Sequence, residues 1–193
     1  MSVEMDLKQA AVALVLRRNM DETELLVIKR AEDPRDHWSG HLALPGGRRD
    51  PEDADLSFTA MRETLEEVGM NLSEGGRIVR RLETITPRSP LAPQIAVTPY
   101  VAIAPPAYHV IEEGVEQMRL RLSAEVEAAF WLPLDALRSR GASEIFRLAI
   151  EGEAREWPAY ATDYGLIWGL TERILTSFLE LIEKDGDLIF DRR

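Results

Sequence analysis

The stretch Leu44-Pro45-Gly46-Gly47, followed by Arg62-Glu63-Thr64-Leu65-Glu66-Glu67-Val68-Gly69, constrains this chain most, because it joins a glycine turn to a helix that carries three carboxylates. A helix advances about 100° per residue, so Glu63, Glu66 and Glu67 at i, i+3 and i+4 lie on one face. Like charges at such spacings cost a few tenths of a kcal/mol per pair, so stability alone does not select them. A divalent cation reverses the sign, since carboxylate oxygens are the hard ligands that Mg²⁺ and Mn²⁺ prefer.

The spacing predicts a helix from about Asp53 to Val68. Acidic residues between Asp50 and Asp55 complement its dipole, Met61, Leu65 and Val68 form its buried stripe, and Gly69 caps its end. Ala10–Leu16 and Glu24–Ile28 read as two strands, in the manner of a hairpin, and His41–Leu44 as a short strand stopped by Pro45-Gly46-Gly47. Ile78–Thr86, Ile95–Ile103 and Glu127–Leu132 read as further strands, with Pro87, Pro90, Pro93, Pro105 and Pro106 in the connections. Apolar side chains at Leu170, Ile174, Phe178 and Leu181 predict a last helix over Trp168–Lys184. Strands, a helix, more strands and a final helix imply α/β or α+β layering, with helices packed on a mixed sheet.

A chain of 193 residues fits one domain spanning 1–193, and 45% hydrophobic with 30% charged residues is ordinary globular composition. The absence of cysteine excludes disulfides, a thiol nucleophile and thiolate-bound metal, and fits a cytoplasmic location. No signal-like amino terminus and no long uncharged apolar run point to a membrane. A net charge of −11 disfavours a nucleic-acid polymer as partner, although local arginines and metal can invert the potential in one cleft that takes a small phosphorylated ligand. No Gly-x-Ser-x-Gly elbow, Walker loop or Gly-x-Gly-x-x-Gly competes with the carboxylate helix for the assignment.

Gly46-Gly47 with Arg62-Glu63-x-x-Glu66-Glu67-x-Gly69 resembles the signature of the Nudix hydrolases. The resemblance implies a Nudix α/β/α sandwich around a central mixed β-sheet, and hydrolysis of a nucleoside diphosphate linked to another moiety. The loop between Gly47 and Arg62 is one residue longer than the family's usual spacing, which leaves Glu52 and Asp53 as the nearest acids to its loop glutamate, and Thr64 stands where an aliphatic residue is usual. The longer loop is similar to that of the coenzyme A pyrophosphatase branch. So are Arg30-Ala31 with Arg35 and His37, Val97-Thr98-Pro99-Tyr100-Val101, Phe130-Trp131-Leu132-Pro133-Leu134 and Ile167-Trp168-Gly169-Leu170-Thr171. Pro34, Leu44 and the Trp38-Ser39 spacing depart from that branch's upstream segment, which is the part thought to define coenzyme A specificity.

On this resemblance Glu63, Glu66 and Glu67 bind Mg²⁺ or Mn²⁺, and Glu63 or Glu67 orders or deprotonates the attacking water. Arg62 orients a glutamate from one layer out, and Gly46 and Gly47 let the backbone turn close to the helix. Arg30 and Arg35 either bind substrate phosphate or are surface charge. Glu112, Glu113 and Glu116 are candidates for a distal carboxylate. His37, His41 and His109 read as structural, and Trp38 and Tyr100 either stack on a nucleobase or belong to the core. The substrate is a small nucleotide derivative, with coenzyme A or a derivative ahead of a nucleotide sugar, a dinucleoside polyphosphate or a nucleoside triphosphate. A silent Nudix domain acting as a nucleotide sensor is the non-enzymatic alternative, and a homodimer is the assembly that the resemblance implies.

Overall fold

The computed structural model describes residues 7–35, 38–88, 94–110, 119–150 and 153–185. Its core is a seven-stranded mixed sheet. β1 (Lys8–Asn19) pairs antiparallel with β2 (Glu22–Arg30), and β2 pairs in turn with β3 (Leu42–Ala43). β4 (Gly46–Arg48) runs antiparallel to the start of β1, with Ala11 opposite Gly47. β6 (Ile95–Ile103) lies parallel to β1 along its other edge, and β5 (Arg77–Arg81) flanks β6. β7 (Val126–Pro133) completes the sheet against β2.

Period-two alternation along β1 sends its side chains to two cores. Ala11, Ala13 and Val15 join Leu26, Ile28 and Ala102 beneath helix α1 (Leu56–Val68), which contributes Ala60 and Val68. Leu14 and Leu16 join Leu25, Val27 and Val101 on the opposite face, covered by α2 (Leu134–Arg140) and α3 (Gly169–Asp185). Helices on both faces make the α/β/α sandwich expected from the sequence. The small side chains of Ala11 and Ala13 let α1 settle close to the sheet, and that proximity positions the site.

Several boundaries differ from the sequence reading. α1 begins at Leu56, because Asp55 is extended and its carboxylate accepts a hydrogen bond from the Phe58 N–H, which makes it the N-cap. Asp53 is held in the preceding loop by other partners. The buried face of α1 is Thr59, Ala60, Thr64, Glu67 and Val68, whereas Leu65 is 45% exposed and Met61 only half-buried. Thr64 tolerates burial because its hydroxyl donates to the Ala60 carbonyl at 2.7 Å. Gly69 does cap the helix, with φ 71° and its N–H bonded to the Leu65 carbonyl at 2.9 Å.

Gly46 and Gly47 do not merely stop a strand; they begin β4. A Cβ at Gly46 would overlap the backbone of Ala11 and Val12, so glycine is what permits this pairing. β5 ends at Arg81 after a bulge, and Ile85 makes only an isolated bridge to Val97. The largest omission lies between Leu132 and Trp168, where no element was expected. There the chain forms α2 and a three-stranded antiparallel sheet of β8 (Glu144–Ile150), β9 (Glu153–Thr162) and β10 (Gly165–Trp168). Trp168 therefore closes a strand, and α3 starts at Gly169. Leu181 is half-buried in α3, whose inner face is Ile174, Leu175, Phe178, Leu179 and Ile182. Among the described residues no helix is long and apolar enough to cross a membrane.

Candidate active site

The loop between β4 and α1 is organised by one arginine. Arg62 donates from Nε to Asp53 Oδ1 at 2.9 Å and from Nη2 to Asp53 Oδ2 at 3.0 Å, a bidentate pair. Its Nη2 also reaches the Arg48 carbonyl at 3.0 Å, which ties the helix to β4. Nη1 contacts Glu66 at 2.9 Å and Glu63 at 3.0 Å. Asp53 is 3% exposed and accepts further bonds from the Asp50 N–H at 3.0 Å and the Thr59 hydroxyl at 2.8 Å. The bond from Arg62 holds the Asp53 carboxyl well below the usual carboxylate range despite its burial, and the same bond raises Arg62 above the ordinary guanidinium value. Of the two acids nearest the family's loop position, Asp53 is therefore the one that grips the arginine.

The three helix glutamates differ in environment. Glu66 is more than half exposed and held by Arg62. Glu63 lies over Gly47, where a Cβ would collide with its carboxylate. Burial pushes the Glu63 carboxyl up, and the neighbouring Arg62 cation opposes that. Glu67 is 5% exposed and accepts a hydrogen bond from the Gly46 N–H at 2.9 Å. Burial pushes it up to about 7; the Gly46 bond and the charge of Arg30 pull it down, while Glu63 and Glu125 push it further up. Glu125, just before β7, is a neighbour that the sequence did not single out, since it is an isolated acid with no spacing relation to the helix.

As the side chains stand, no cluster of three acidic or histidine groups among the described residues closes around one point. The donor set nevertheless suits a hard divalent cation. Two partly or wholly desolvated carboxylates repel each other beside a third, and buried carboxylates are raised in this way when no cation compensates them.

The other expected site residues divide. Gly46 and Gly47 sit against Glu67 and Glu63 as described. Arg30, at the end of β2, acts electrostatically on Glu67 and lines a cavity of about 350 Å³. Arg35 lies apart with its side chain 90% exposed, bonded to Asp33 through Nε and Nη2 at 3.0 Å each. Trp38 and His41 line the cavity, whereas Tyr100 is buried in the core under α1. His109 is structural: its Nδ1 accepts from the Arg18 N–H at 3.3 Å and its Nε2 bonds the Ala104 carbonyl at 2.8 Å. His37, Glu112, Glu113 and Glu116 lie outside the described residues.

Comparison with known proteins shows the family and the fold. The Nudix domain family model matches residues 7–150. A protein of Enterobacter sp. (strain 638) named Nudix hydrolase NudL is 33% identical over 171 residues, covering 87% of this chain and 79% of its own length. Among solved structures, a MutT/nudix family protein from Enterococcus faecalis superposes with a TM-score of 0.58 at 17% identity, covering 95% of this chain and 65% of that one. A C. elegans Ap4A hydrolase in a binary complex gives 0.52 at 23% identity, covering 68% and 85%. These structural likenesses establish the shared fold. The chain belongs to the Nudix hydrolase family. It is a pyrophosphohydrolase, and nucleoside diphosphate derivatives are its substrate class; hydrolases of this family typically use divalent metal ions.

Proposed function

We propose that the protein hydrolyses the diphosphate bond of coenzyme A or a derivative, with Glu63, Glu66 and Glu67 holding Mg²⁺ or Mn²⁺. The observation that carries the reading is the pair of desolvated carboxylates, Glu63 and Glu67, set against Gly47 and Gly46 at the foot of a helix locked by Arg62 and Asp53. A bound divalent ion supplies charge neutralisation at the diphosphate and acidifies a water for in-line attack on phosphorus.

The protein's own groups set the stage for that attack. The Arg62–Asp53 pair fixes the first turns of α1 against β4, so the glutamates are positioned before substrate arrives. The Gly46 N–H fixes one oxygen of Glu67 and leaves the other for a proton or a ligand. Glu67, held at one oxygen by the Gly46 N–H, or Glu63 beside it, accepts the proton of the attacking water. Arg30, close enough to act on Glu67 and exposed to the cavity, binds diphosphate oxygen.

The coenzyme A reading is supported by the longer loop and by the segments around Arg30, Val97, Phe130 and Ile167. Incubation with Mg²⁺ or Mn²⁺ and coenzyme A, ADP-ribose, UDP-glucose or dGTP, with products identified by mass, tests it. Preferred cleavage of coenzyme A is expected; preferred turnover of a compound without the pantetheine arm would overturn the substrate. Nucleotide binding without turnover of any compound would favour a sensor.

A further inference from the structure

The cavity at Arg30 is lined on one side by the main sheet, through Arg30, Leu42, Ala43 and Ile95, and on the other by segments outside it. β10 and the start of α3 provide Trp168 and Arg173, β9 provides Trp157, and the segment after β5 provides Arg88. Its aromatic wall is continuous: the ring centroids of Trp38 and Trp157 lie 5.7 and 5.4 Å from that of Trp168. Phe146 stacks on Trp168 at 3.8 Å with an interplanar angle of 13°, which fixes that indole from behind. Trp38 and Trp157 are only half-buried, which is costly surface to leave in water unless a flat apolar group covers it.

The cavity also holds two centres of positive charge. Arg30 acts on Glu67 and belongs to the carboxylate site. Arg173 feels Arg88 and Glu172 instead: burial lowers it below the ordinary guanidinium value, the charge of Arg88 lowers it further, and Glu172 opposes both. Arg173 donates to the Thr86 carbonyl at 2.8 Å, and neither arginine is in a salt bridge among the described residues. Glu172 is the one acid of the lining; its buried carboxyl is raised by desolvation, receives the Thr176 hydroxyl at 2.8 Å and offsets part of the charge of Arg173 and Arg88. Two repelling guanidinium groups beside an aromatic wall are stabilised by an anion placed between them.

We propose that this cavity is the specificity pocket: its indoles receive the base of the nucleotide, and Arg88 with Arg173 holds an anionic phosphate monoester that the ligand carries in addition to its diphosphate. The inference rests on the proposed coenzyme A reading only in taking a nucleotide substrate. It selects ligands with a phosphorylated ribose over the same ligands without that phosphate.

Three of the chain's four tryptophans line the cavity, and Trp131 instead packs under Arg17, so intrinsic fluorescence reports occupancy. Titration of the full chain with adenosine 3′,5′-bisphosphate, adenosine 2′,5′-bisphosphate and AMP should show quenching by all three. A bisphosphate should bind about tenfold tighter than AMP, as charge-assisted hydrogen bonds require. Arg173→Met should remove that advantage and leave AMP affinity unchanged, which also shows that the variant is folded. Arg88→Met, at an exposed position, should remove part of it. Equal affinity for AMP and both bisphosphates, or a preference that survives both substitutions, would overturn the proposal. Coenzyme A turnover is scored separately. Turnover without bisphosphate discrimination removes the pocket assignment and leaves the proposed reaction standing; discrimination without turnover does the reverse.

Discussion

Removing the Asp53 carboxylate should unfasten the site before it touches any glutamate. Asp53 accepts four hydrogen bonds, two from Arg62 and one each from the Asp50 N–H and the Thr59 hydroxyl. Asp53→Ala leaves a largely buried guanidinium short of its main partner, and breaking a buried pair from one side costs about 3–5 kcal/mol. Arg62 keeps Glu63 and Glu66, which places the loss near the lower end, about 3 kcal/mol. At about 2–4 °C per kcal/mol for a chain of this size, Tm should fall by roughly 6–12 °C. The folded carboxyl is depressed, so its contribution is complete above the unfolded carboxylate pKa of about 3.9 and is lost as pH falls through the folded value. The stability difference between wild type and variant, followed by urea unfolding, should hold constant from about pH 7 to 5 and shrink below about pH 4. A Tm within about 2 °C of wild type, or a difference that grows on acidification, would refute the reasoning.

Gly46→Ala should cost about 2 kcal/mol or more by driving a methyl group into the backbone of Ala11 and Val12, and urea unfolding measures it. Turnover should fall with it, because β4 also carries the N–H that fixes Glu67. Glu67→Gln and Glu66→Gln should each weaken Mn²⁺ binding in a calorimetric titration and lower turnover by about 10² or more, with the circular dichroism spectrum unchanged. Wild-type turnover in either variant would remove that residue from the ligand set.

Helices layered on a mixed sheet and the carboxylate helix were legible because both rest on local patterns, apolar runs on β1, β2 and β6 and the i, i+3, i+4 glutamates of α1, while the sandwich itself was implied by the resemblance to the Nudix hydrolases. The orientation of α1 was not. A helix with Leu65 outward and Thr64 and Glu67 inward follows from the fastening of Arg62 to Asp53 and from the small side chains of β1, which are long-range contacts that periodicity does not register. The same holds for β4, whose pairing depends on what a glycine does not carry. The strands β8, β9 and β10 are short or mostly exposed, and β9 contains Pro158, so their burial signal is weak until Ile167 and Tyr160 meet α3. That unread segment supplies Trp157 and Trp168 to the cavity, which is why the cavity was not legible from local patterns.

Hydrolysis of coenzyme A in ¹⁸O-labelled water with Mg²⁺, read by mass spectrometry, tests the central claim most directly. The account predicts two phosphorylated products, one of them bearing a single ¹⁸O on phosphorus, with turnover that stops when Mg²⁺ is chelated. Intact diphosphate after prolonged incubation, or cleavage that persists at the same rate without divalent metal, would contradict it.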